Sequence, residues 1–170
     1  DQNGADILRL WVVSSDYYND LRIGPEIIKR TADNYRRFRN TLRYLLGALD
    51  DYSSAEVVDY SVMPDLEKWV LDRLATIDVA IRKMTESYDF HGIFSELHQF
   101  CNSDLSAFYF EIRKDTLYCD DKNSMARRAC RTVMDEVFNR LTAWLAPILC
   151  FTAEEAWQSR HSDIENSVHL

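Results

Sequence analysis

Apolar side chains recur every three to four residues along four long stretches of the chain, and polar side chains fill the positions between them. This spacing is typical of amphipathic helices. It predicts helices over residues 25–49, 64–88, 91–112 and 124–146. Long helices joined by short connections pack as antiparallel neighbours. The pattern therefore predicts an all-α fold, an antiparallel bundle of four long helices with short helices at its ends.

Residues that start and stop helices support these bounds. Pro25 suits a first helical turn, where its missing N–H is not needed, and Pro147 predicts the end of the fourth helix. Thr152 and Glu155 have the spacing of a capping box, so we expect Thr152 to open a short last helix. The apolar run at 7–13 fits either a short helix or the edge of a neighbouring domain.

The composition agrees with a helical domain that has its own core. Of 170 residues, 46% are apolar, and only 4 glycines and 3 prolines are present. A sandwich or barrel of short strands needs a turn about every dozen residues, so that class is excluded. No apolar run approaches the roughly 18 residues of a membrane span. We expect the core to include the aromatic residues on the apolar stripes, namely Trp69, Phe100, Phe108 and Trp144.

Residues that carry chemistry are scarce. The 4 cysteines form no C-x-x-C pair and have no histidine at ligand spacing, which favours buried thiols in a reducing compartment over a zinc site or disulfides. The chain has no glycine-rich phosphate loop, no H-E-x-x-H and no nucleophile elbow. We therefore expect neither a catalytic site nor a metal site.

The charge is distributed unevenly along the chain. The net charge is −8, yet residues 27–50 carry a net charge of +4 and residues 122–140 carry +3, so the rest totals −15. Such a chain is an acidic body with two basic segments. The body argues against general nucleic-acid binding, while the basic segments are candidates for a localised contact.

The first predicted helix has a basic face opposite its apolar stripe. Lys29, Arg36 and Arg43 recur every seven residues, and Asn40 lies between the last two. We call these four residues the basic ridge; Arg30, Arg37 and Arg39 flank it. Between positions 29 and 43 the only acid is Asp33, so cations outnumber carboxylates. The candidate phosphate contacts on this helix are Lys29, Arg36, Arg37, Arg39, Asn40 and Arg43.

Two weaker candidates lie elsewhere. Arg127, Arg128 and Arg131 stand near the start of the fourth helix, where cations oppose the helix dipole, so helix stability does not explain them. Arg131 and Asp135 are also spaced for an ion pair within the helix, and a structural role is equally open. Lys114 suits the end of the third helix or an RNA contact. Tyr44 could stack on an unpaired base or lie along the surface.

Several blocks of sequence resemble one known family, the isoleucyl-tRNA synthetases. Residues 4–11 (G-A-D-I-L-R-L-W) and 21–27 (L-R-I-G-P-E-I) resemble the segment after that family's KMSKS loop. Residues 35–43 (Y-R-R-F-R-N-T-L-R) are similar to its first anticodon-domain helix. Further blocks match at 104–109 (D-L-S-A-F-Y), 114–118 (K-D-T-L-Y), 145–149 (L-A-P-I-L), 151–157 (F-T-A-E-E-A-W) and 167–170 (S-V-H-L). Thr116 departs from the arginine expected in K-D-x-L-Y, and Cys150 from a common serine.

This resemblance implies a piece of a larger enzyme that activates isoleucine with ATP and Mg²⁺ and transfers it to its tRNA. Residues 1–24 would lead in from the catalytic lobe, 25–160 would form the helical anticodon-binding domain, and 161–170 would start the next segment. The piece itself would hold no cofactor. Its expected partners are isoleucine tRNA and the catalytic domain of the same chain; we expect it to be monomeric and cytoplasmic, without membrane contact.

Two functions remain to be compared. In the first, the basic ridge, helped by the fourth helix, holds the anticodon stem-loop, and the acidic remainder repels RNA elsewhere. In the alternative, the chain is a helical protein-interaction domain without an RNA role. The alternative predicts an apolar exposed surface and association that does not depend on salt, whereas binding to phosphates weakens steeply as salt rises.

Overall fold

The chain is described here by a computed structural model over residues 4–161 and 166–170. Its α-helices are α1 (Ala5–Val13), α2 (Pro25–Ala48), α3 (Asp65–Glu86), α4 (Phe90–Gln99), α5 (Phe110–Cys119), α6 (Met125–Leu145) and α7 (Cys150–Arg160). A π-helical segment, Phe100–Tyr109, joins α4 to α5, and we call the continuous helix over 90–119 the rod. No strand occurs in the described ranges, and the all-α prediction is confirmed. Residues 1–3 and 162–165, within the predicted first and last segments, lie outside this description.

Short 3₁₀ turns, Ser54–Glu56 and Tyr60–Val62, lie in the long connection between α2 and α3. The predicted bounds of α2, α3 and α6 agree with the structure to within two residues at each end. The third predicted helix continues past its expected end to Cys119, because Leu117 is buried and extends the apolar face. Of the two possibilities left open for residues 7–13, a short helix is the one observed.

Contacts between helices give their directions. Along α3, Glu67 pairs with Arg113 of the rod, while Arg73 pairs with the earlier residue Asp104, so α3 and the rod are antiparallel. Between α2 and the rod, Arg37 donates to Asn102 and the ring of Tyr44 stacks on Phe110, so these two helices run the same way. Hence α2, α3 and the rod alternate in direction along the chain.

The direction of α6 follows from its contacts with α7. Asp135 of α6 pairs with Arg160 of α7, whereas the later residue Phe138 stacks on the earlier residue Trp157, so the two helices are antiparallel. In turn α7 is parallel to α2, because Thr152 bonds to Tyr35 and Glu155 pairs with Arg39. Hence α6 runs opposite to α2, and the antiparallel bundle is confirmed.

The core lies between the four long helices, and α6 is its most deeply buried member, with 11 buried residues. Phe38 and Leu45 of α2 pack in the same core as Ile77 of α3 and Leu97 of α4. Because α2 is buried along only one face, its opposite face is held at the surface by the same packing. The core thus fixes which residues of α2 face solvent.

A buried polar cluster links α3 to the rod. Glu67 is fully buried and accepts two hydrogen bonds of 2.7 Å from Arg113, and the hydroxyl of Tyr109 donates to it at 3.2 Å. Burial raises the pKa of the Tyr109 phenol well above its usual value. Removing one member of such a cluster leaves a charge buried without compensation. This cluster holds the rod, and with it the groove described below, against α3.

The N-terminal helix is attached to α7 by a carboxylate, and the predicted capping box is wrong. α7 begins at Cys150, so Thr152 lies inside its first turn. The N–H and hydroxyl of Thr152 donate to Asp6 of α1, at 2.9 and 2.8 Å. Asp6 thereby satisfies an N–H that has no partner inside the helix. The cap comes from a residue 146 positions away in the chain.

Two aromatic residues predicted in the core lie partly outside it. Trp69 is 37% exposed and Phe108 is 44% exposed, and their rings meet edge to face with centroids 5.3 Å apart. The buried positions of the π-helical segment include Leu105 and Tyr109, so Phe108 is turned to the rim of that face. Phe100 is buried as predicted, and Trp144 is half-buried.

Candidate nucleic-acid interface

The basic ridge faces solvent. Lys29, Arg36, Asn40 and Arg43 are all exposed, and the buried side chains of α2 lie on the opposite side of the helix. This orientation follows from the sequence, because the apolar stripe must enter the core and the ridge lies opposite to it. At about 1.5 Å per residue, the ridge extends over roughly 20 Å.

The ion pairs near the ridge are exposed ones. Arg36 pairs with Asp33 on the same helix, and their side chains are 67% and 55% exposed. Arg39 lies 3.6 Å from Glu155 of α7, with exposures of 56% and 67%. Exposed pairs contribute only about 0–1 kcal/mol, so these guanidinium groups can exchange their carboxylates for phosphates. Within residues 4–161 and 166–170, Arg43 forms no ion pair.

Arg37 has a more restricted role than the ridge. Its Nη1 donates to Asn102 Oδ1 in the π-helical segment, which ties its head group to the neighbouring helix. The residue remains exposed. Arg37 can therefore join an anion contact beside the ridge while it also links α2 to the rod.

A groove between α2 and α5 follows the ridge on one side. Its cavity volume is about 410 Å³. We call it the aromatic groove; its lining includes Asn40, Tyr44, Phe110, Glu111, Lys114 and Tyr118. Lys114 is exposed and pairs with Glu111 one turn before it on α5. The predicted contact residues Asn40 and Lys114 thus come together across this groove.

Tyr44 lies at the base of the aromatic groove rather than free on the surface. Its ring stacks on Phe110, with centroids 4.3 Å apart and an interplanar angle of 23°. Its hydroxyl is buried and has no hydrogen-bond partner in the described part of the chain. Burial, and then the nearby Tyr118, raise the pKa of Tyr44 to about 12. Tyr44 therefore contributes a neutral aromatic ring to the groove, and not an ionised phenol.

Arg127 and Arg128 bind the protein's own backbone. Nε of Arg127 donates to the carbonyl of Leu117 in the last turn of α5, at 3.1 Å. Nε and Nη2 of Arg128 donate to the carbonyls of Glu56 and Ala55, at 3.3 and 3.2 Å. Both side chains are half-buried. Their position is explained by the free carbonyl groups around them, which they satisfy.

Arg131 is buried and cannot be a surface contact, so its inclusion among the RNA-binding candidates is corrected. The residue is only 1% exposed. It donates to Glu56 Oε2 at 2.9 Å, to Asp51 Oδ1 at 2.8 Å and to the carbonyl of Asp50. Of the two roles left open for Arg131, the structural one is observed, but with these partners and not with Asp135, whose carboxylate binds Arg160 of α7.

One partner of Arg131, Asp51, has an unusual backbone conformation that the sequence analysis did not predict. Asp51 has a φ of 60°, in the left-handed region that few residues other than glycine adopt. Its carboxylate binds Lys122 at 3.0 Å as well as Arg131, and these hydrogen bonds lower the pKa of Asp51. The partners lie 71 and 80 positions away, so no local pattern could indicate them. The α2–α3 connection is thereby fastened to α6.

Fold and surface together define a class: an all-α domain that carries one basic face, beside an aromatic groove, on an acidic body. Comparison with known sequences gives the family. Residues 67–170 match the family described as the anticodon-binding domain of tRNA ligase. The chain belongs to this family. The match begins in α3, so the basic ridge on α2 precedes it.

Similar proteins extend the comparison over the whole chain. An isoleucine–tRNA ligase of Ruegeria pomeroyi is 55% identical over 99% of this chain. Those of Gluconobacter oxydans and Rhodopseudomonas palustris are 53% and 48% identical over 98% and 99%. The chain spans about 17% of the length of each of these relatives.

The described residues include no group of three or more His, Cys, Asp or Glu side chains that could hold a metal ion. In the same part of the chain, no helix is both long and apolar enough to cross a membrane.

Proposed function

We propose that this chain is the module of an isoleucine–tRNA ligase that binds the anticodon stem-loop of isoleucine tRNA. The observation that carries the proposal is the exposed basic ridge on α2, within an acidic protein of net charge −8. The family and the names of the relatives supply the class of RNA. Because those relatives are several times longer, amino-acid activation belongs to the remainder of the parent protein.

The ridge suits an RNA stem because of what a stem offers to a protein. A-form RNA has a deep, narrow major groove that side chains cannot read, so proteins contact its phosphates and 2′-hydroxyl groups. Arg36 and Arg43 each present a guanidinium fork that matches phosphate oxygens. The amide of Asn40, between them, can both donate and accept. Acidic surfaces elsewhere repel RNA and favour this one orientation.

The proposal also assigns a role to the attached N-terminal segment. Asp6 joins α1 to α7, and Tyr17 bonds to the turn between α3 and α4 through the carbonyl of Tyr88. Residues 4–24, the described part of this segment, are thus packed on residues 25–160, the proposed anticodon-binding domain. If residues 1–24 lead in from the catalytic lobe, a grip on the anticodon stem fixes the orientation of that lobe along the tRNA.

In the parent enzyme, ATP and Mg²⁺ would bind the catalytic lobe. The phosphate-binding candidates of this chain serve RNA in the proposal, and none of its residues is assigned to ATP. The parent would act in the cytoplasm, where tRNA is charged for translation. We expect the isolated chain to be a monomer and residues 161–170 to begin the segment that follows.

The proposal is tested by removing one ridge charge at a time. Arg43→Gln and Arg36→Gln should each weaken binding of isoleucine tRNA, in filter-binding titrations at several salt concentrations. Each lost phosphate contact should reduce the slope of log affinity against log salt by roughly 0.7–0.9. Arg82→Gln is the matched control, because Arg82 is 73% exposed but lies on α3, away from the ridge.

The same titrations separate the proposal from a protein-interaction role. The proposal is supported if binding discriminates isoleucine tRNA from an unrelated tRNA and if its salt slope becomes shallower in each ridge variant. Equal affinity and equal salt slopes for wild type, Arg43→Gln and Arg82→Gln would refute the ridge as the RNA-binding surface. Salt-independent association with protein partners would then favour the alternative.

A further inference from the structure

The aromatic groove has features that contact with phosphates does not explain. Phosphate contacts need donors and positive charge, yet Tyr44 and Phe110 place two stacked rings along this groove. Tyr118, on the last turn of α5 in the lining of this groove, is 77% exposed. Its exposed ring therefore lines the same groove as the ridge residue Asn40.

The dimensions and edges of the groove restrict its occupant. Its volume of about 410 Å³ lies within the roughly 300–1,000 Å³ of pockets for small ligands. Its edges carry the amide of Asn40 on α2 and, on α5, the ammonium of Lys114 paired with the carboxylate of Glu111. The edges are therefore polar, and the walls are aromatic. This combination suits a planar ring that is attached to an anionic backbone.

We propose that the aromatic groove receives one unpaired nucleobase of the bound RNA, stacked on the ring of Tyr118. The inference rests on the proposed function, and it specifies a second kind of contact beside the phosphate contacts of the ridge. A base extending from a strand that lies along Arg36 and Arg43 reaches the groove directly, because Asn40 belongs to both surfaces. Every base has a π-face, so Tyr118 supplies affinity for the base.

Discrimination between bases would come from the edges of the groove. The side-chain amide of Asn40 can donate and accept at once, which allows it to read the edge of a base. Lys114 is placed to hold the phosphate of the stacked nucleotide, since its present partner, Glu111, is 64% exposed and exchangeable. Tyr44 acts through its ring, because its hydroxyl is already buried.

The test uses the 170-residue chain and a hairpin RNA with the sequence of the isoleucine anticodon stem-loop. In a set of hairpins, one loop nucleotide at a time is made abasic. Tyr118→Ala should weaken binding of the intact hairpin by about 5- to 150-fold, the usual range for loss of one stacked base. Tyr118→Phe keeps the ring and should bind like wild type. The salt slope should not change in either variant, because no phosphate contact is removed.

The abasic series provides the decisive comparison. At one loop position, the abasic hairpin should bind the wild-type protein as weakly as the intact hairpin binds Tyr118→Ala. The abasic hairpin and Tyr118→Ala together should lose no more affinity than either change alone. Asn40→Ala should reduce the preference among the four bases at that same position. Circular dichroism of Tyr118→Ala should match wild type, since the removed side chain is exposed.

Failure of this inference is distinguishable from failure of the proposed function. If wild type binds the hairpin with a salt slope that depends on Arg43, while Tyr118→Ala and every abasic hairpin bind unchanged, the groove holds no base and the ridge remains. A loss in Tyr118→Ala that is the same for all hairpins, with no coupled position, also refutes the base site. If wild type does not bind the hairpin at all, both proposals are wrong.

Discussion

Replacing Arg131 by methionine removes a buried guanidinium but keeps a side chain of comparable reach. The guanidinium donates to Glu56 and Asp51, at 2.9 and 2.8 Å, and lies 5.4 Å from the centre of the Tyr52 ring. After the change, the carboxylate of Glu56, only 20% exposed, has lost its cation. Asp51 is 58% exposed and retains Lys122, 3.0 Å away. The damage should therefore fall mainly on Glu56.

The size of the effect follows from this asymmetry. Removing one partner of a buried ion pair costs about 3–5 kcal/mol, because the other charge remains buried. The part involving Asp51 resembles an exposed pair and contributes about 0–1 kcal/mol. Glu56 keeps some contact with solvent, so we expect a total loss of about 2–4 kcal/mol. For a domain of this size, each kcal/mol lowers Tm by roughly 2–4 °C, which predicts a decrease of about 4–16 °C.

Urea and thermal denaturation, followed by far-UV circular dichroism, measure this loss. Arg82→Met is the control, because it removes an arginine whose pair with Asp78 is largely exposed, and it should change stability by less than about 0.5 kcal/mol. Where the Arg131→Met chain remains folded, its RNA affinity and salt slope should equal those of wild type. An Arg131→Met chain that is as stable as wild type, but binds RNA more weakly and with a shallower salt slope, would refute the structural role of Arg131.

Two further predictions concern stability. Burial, followed by the charge of Arg37, lowers the pKa of His98. The unfolded chain therefore takes up this proton at higher pH than the folded chain. Lowering the pH through about 6.5 should for this reason reduce the free energy of unfolding. Urea midpoints against pH measure this; His98→Gln should flatten the dependence, and an equally steep curve for that variant would contradict it. Asp6→Ala should cost about 1–3 kcal/mol, because the N–H and hydroxyl of Thr152 lose their acceptor. In Asp6→Ala, hydrogen exchange of α1 and α7 should then become faster. In the control Asp72→Ala, on the exposed face of α3, the exchange of α1 and α7 should not change. Unchanged exchange in Asp6→Ala would contradict the cap.

The helices were predictable where one apolar stripe continues at constant spacing. α2, α3 and α6 have such stripes, and each was predicted to within two residues at either end. The rod changes its winding at Phe100–Tyr109, so a stripe drawn at a constant 3.6-residue spacing loses its register there and misplaces Phe108. The cap of α7 could not be predicted, because Asp6 becomes its neighbour only after the chain has folded.

The candidate interface was predictable in part for a related reason. An amphipathic helix whose apolar face is fixed has only one direction for the opposite face, so the exposure of Arg36 and Arg43 followed from spacing alone. The aromatic groove depends on two helices that are far apart in the chain. Tyr44 and Phe110 come into contact only because α2 and the rod run in the same direction. Sequence spacing left the surroundings of Tyr44 open for that reason.

The density of arginine along the chain does not by itself distinguish surface contacts from structural ones; the nearest acceptors do. On α2, Asp33 is the only carboxylate between positions 29 and 43. The acceptors that its arginines reach in the described residues are the side chains of Asp33, Asn102 and Glu155. At the start of α6, the connection after α2 folds back and presents carboxylates and carbonyls to Arg128 and Arg131. Nε and Nη2 of Arg128 and both Nη atoms of Arg131 are therefore already bound within the chain. An external anion can bind the donors of α2 at low cost in free energy. To bind the donors of Arg131, it would have to detach the α2–α3 connection from α6. We therefore expect the RNA contacts along α2.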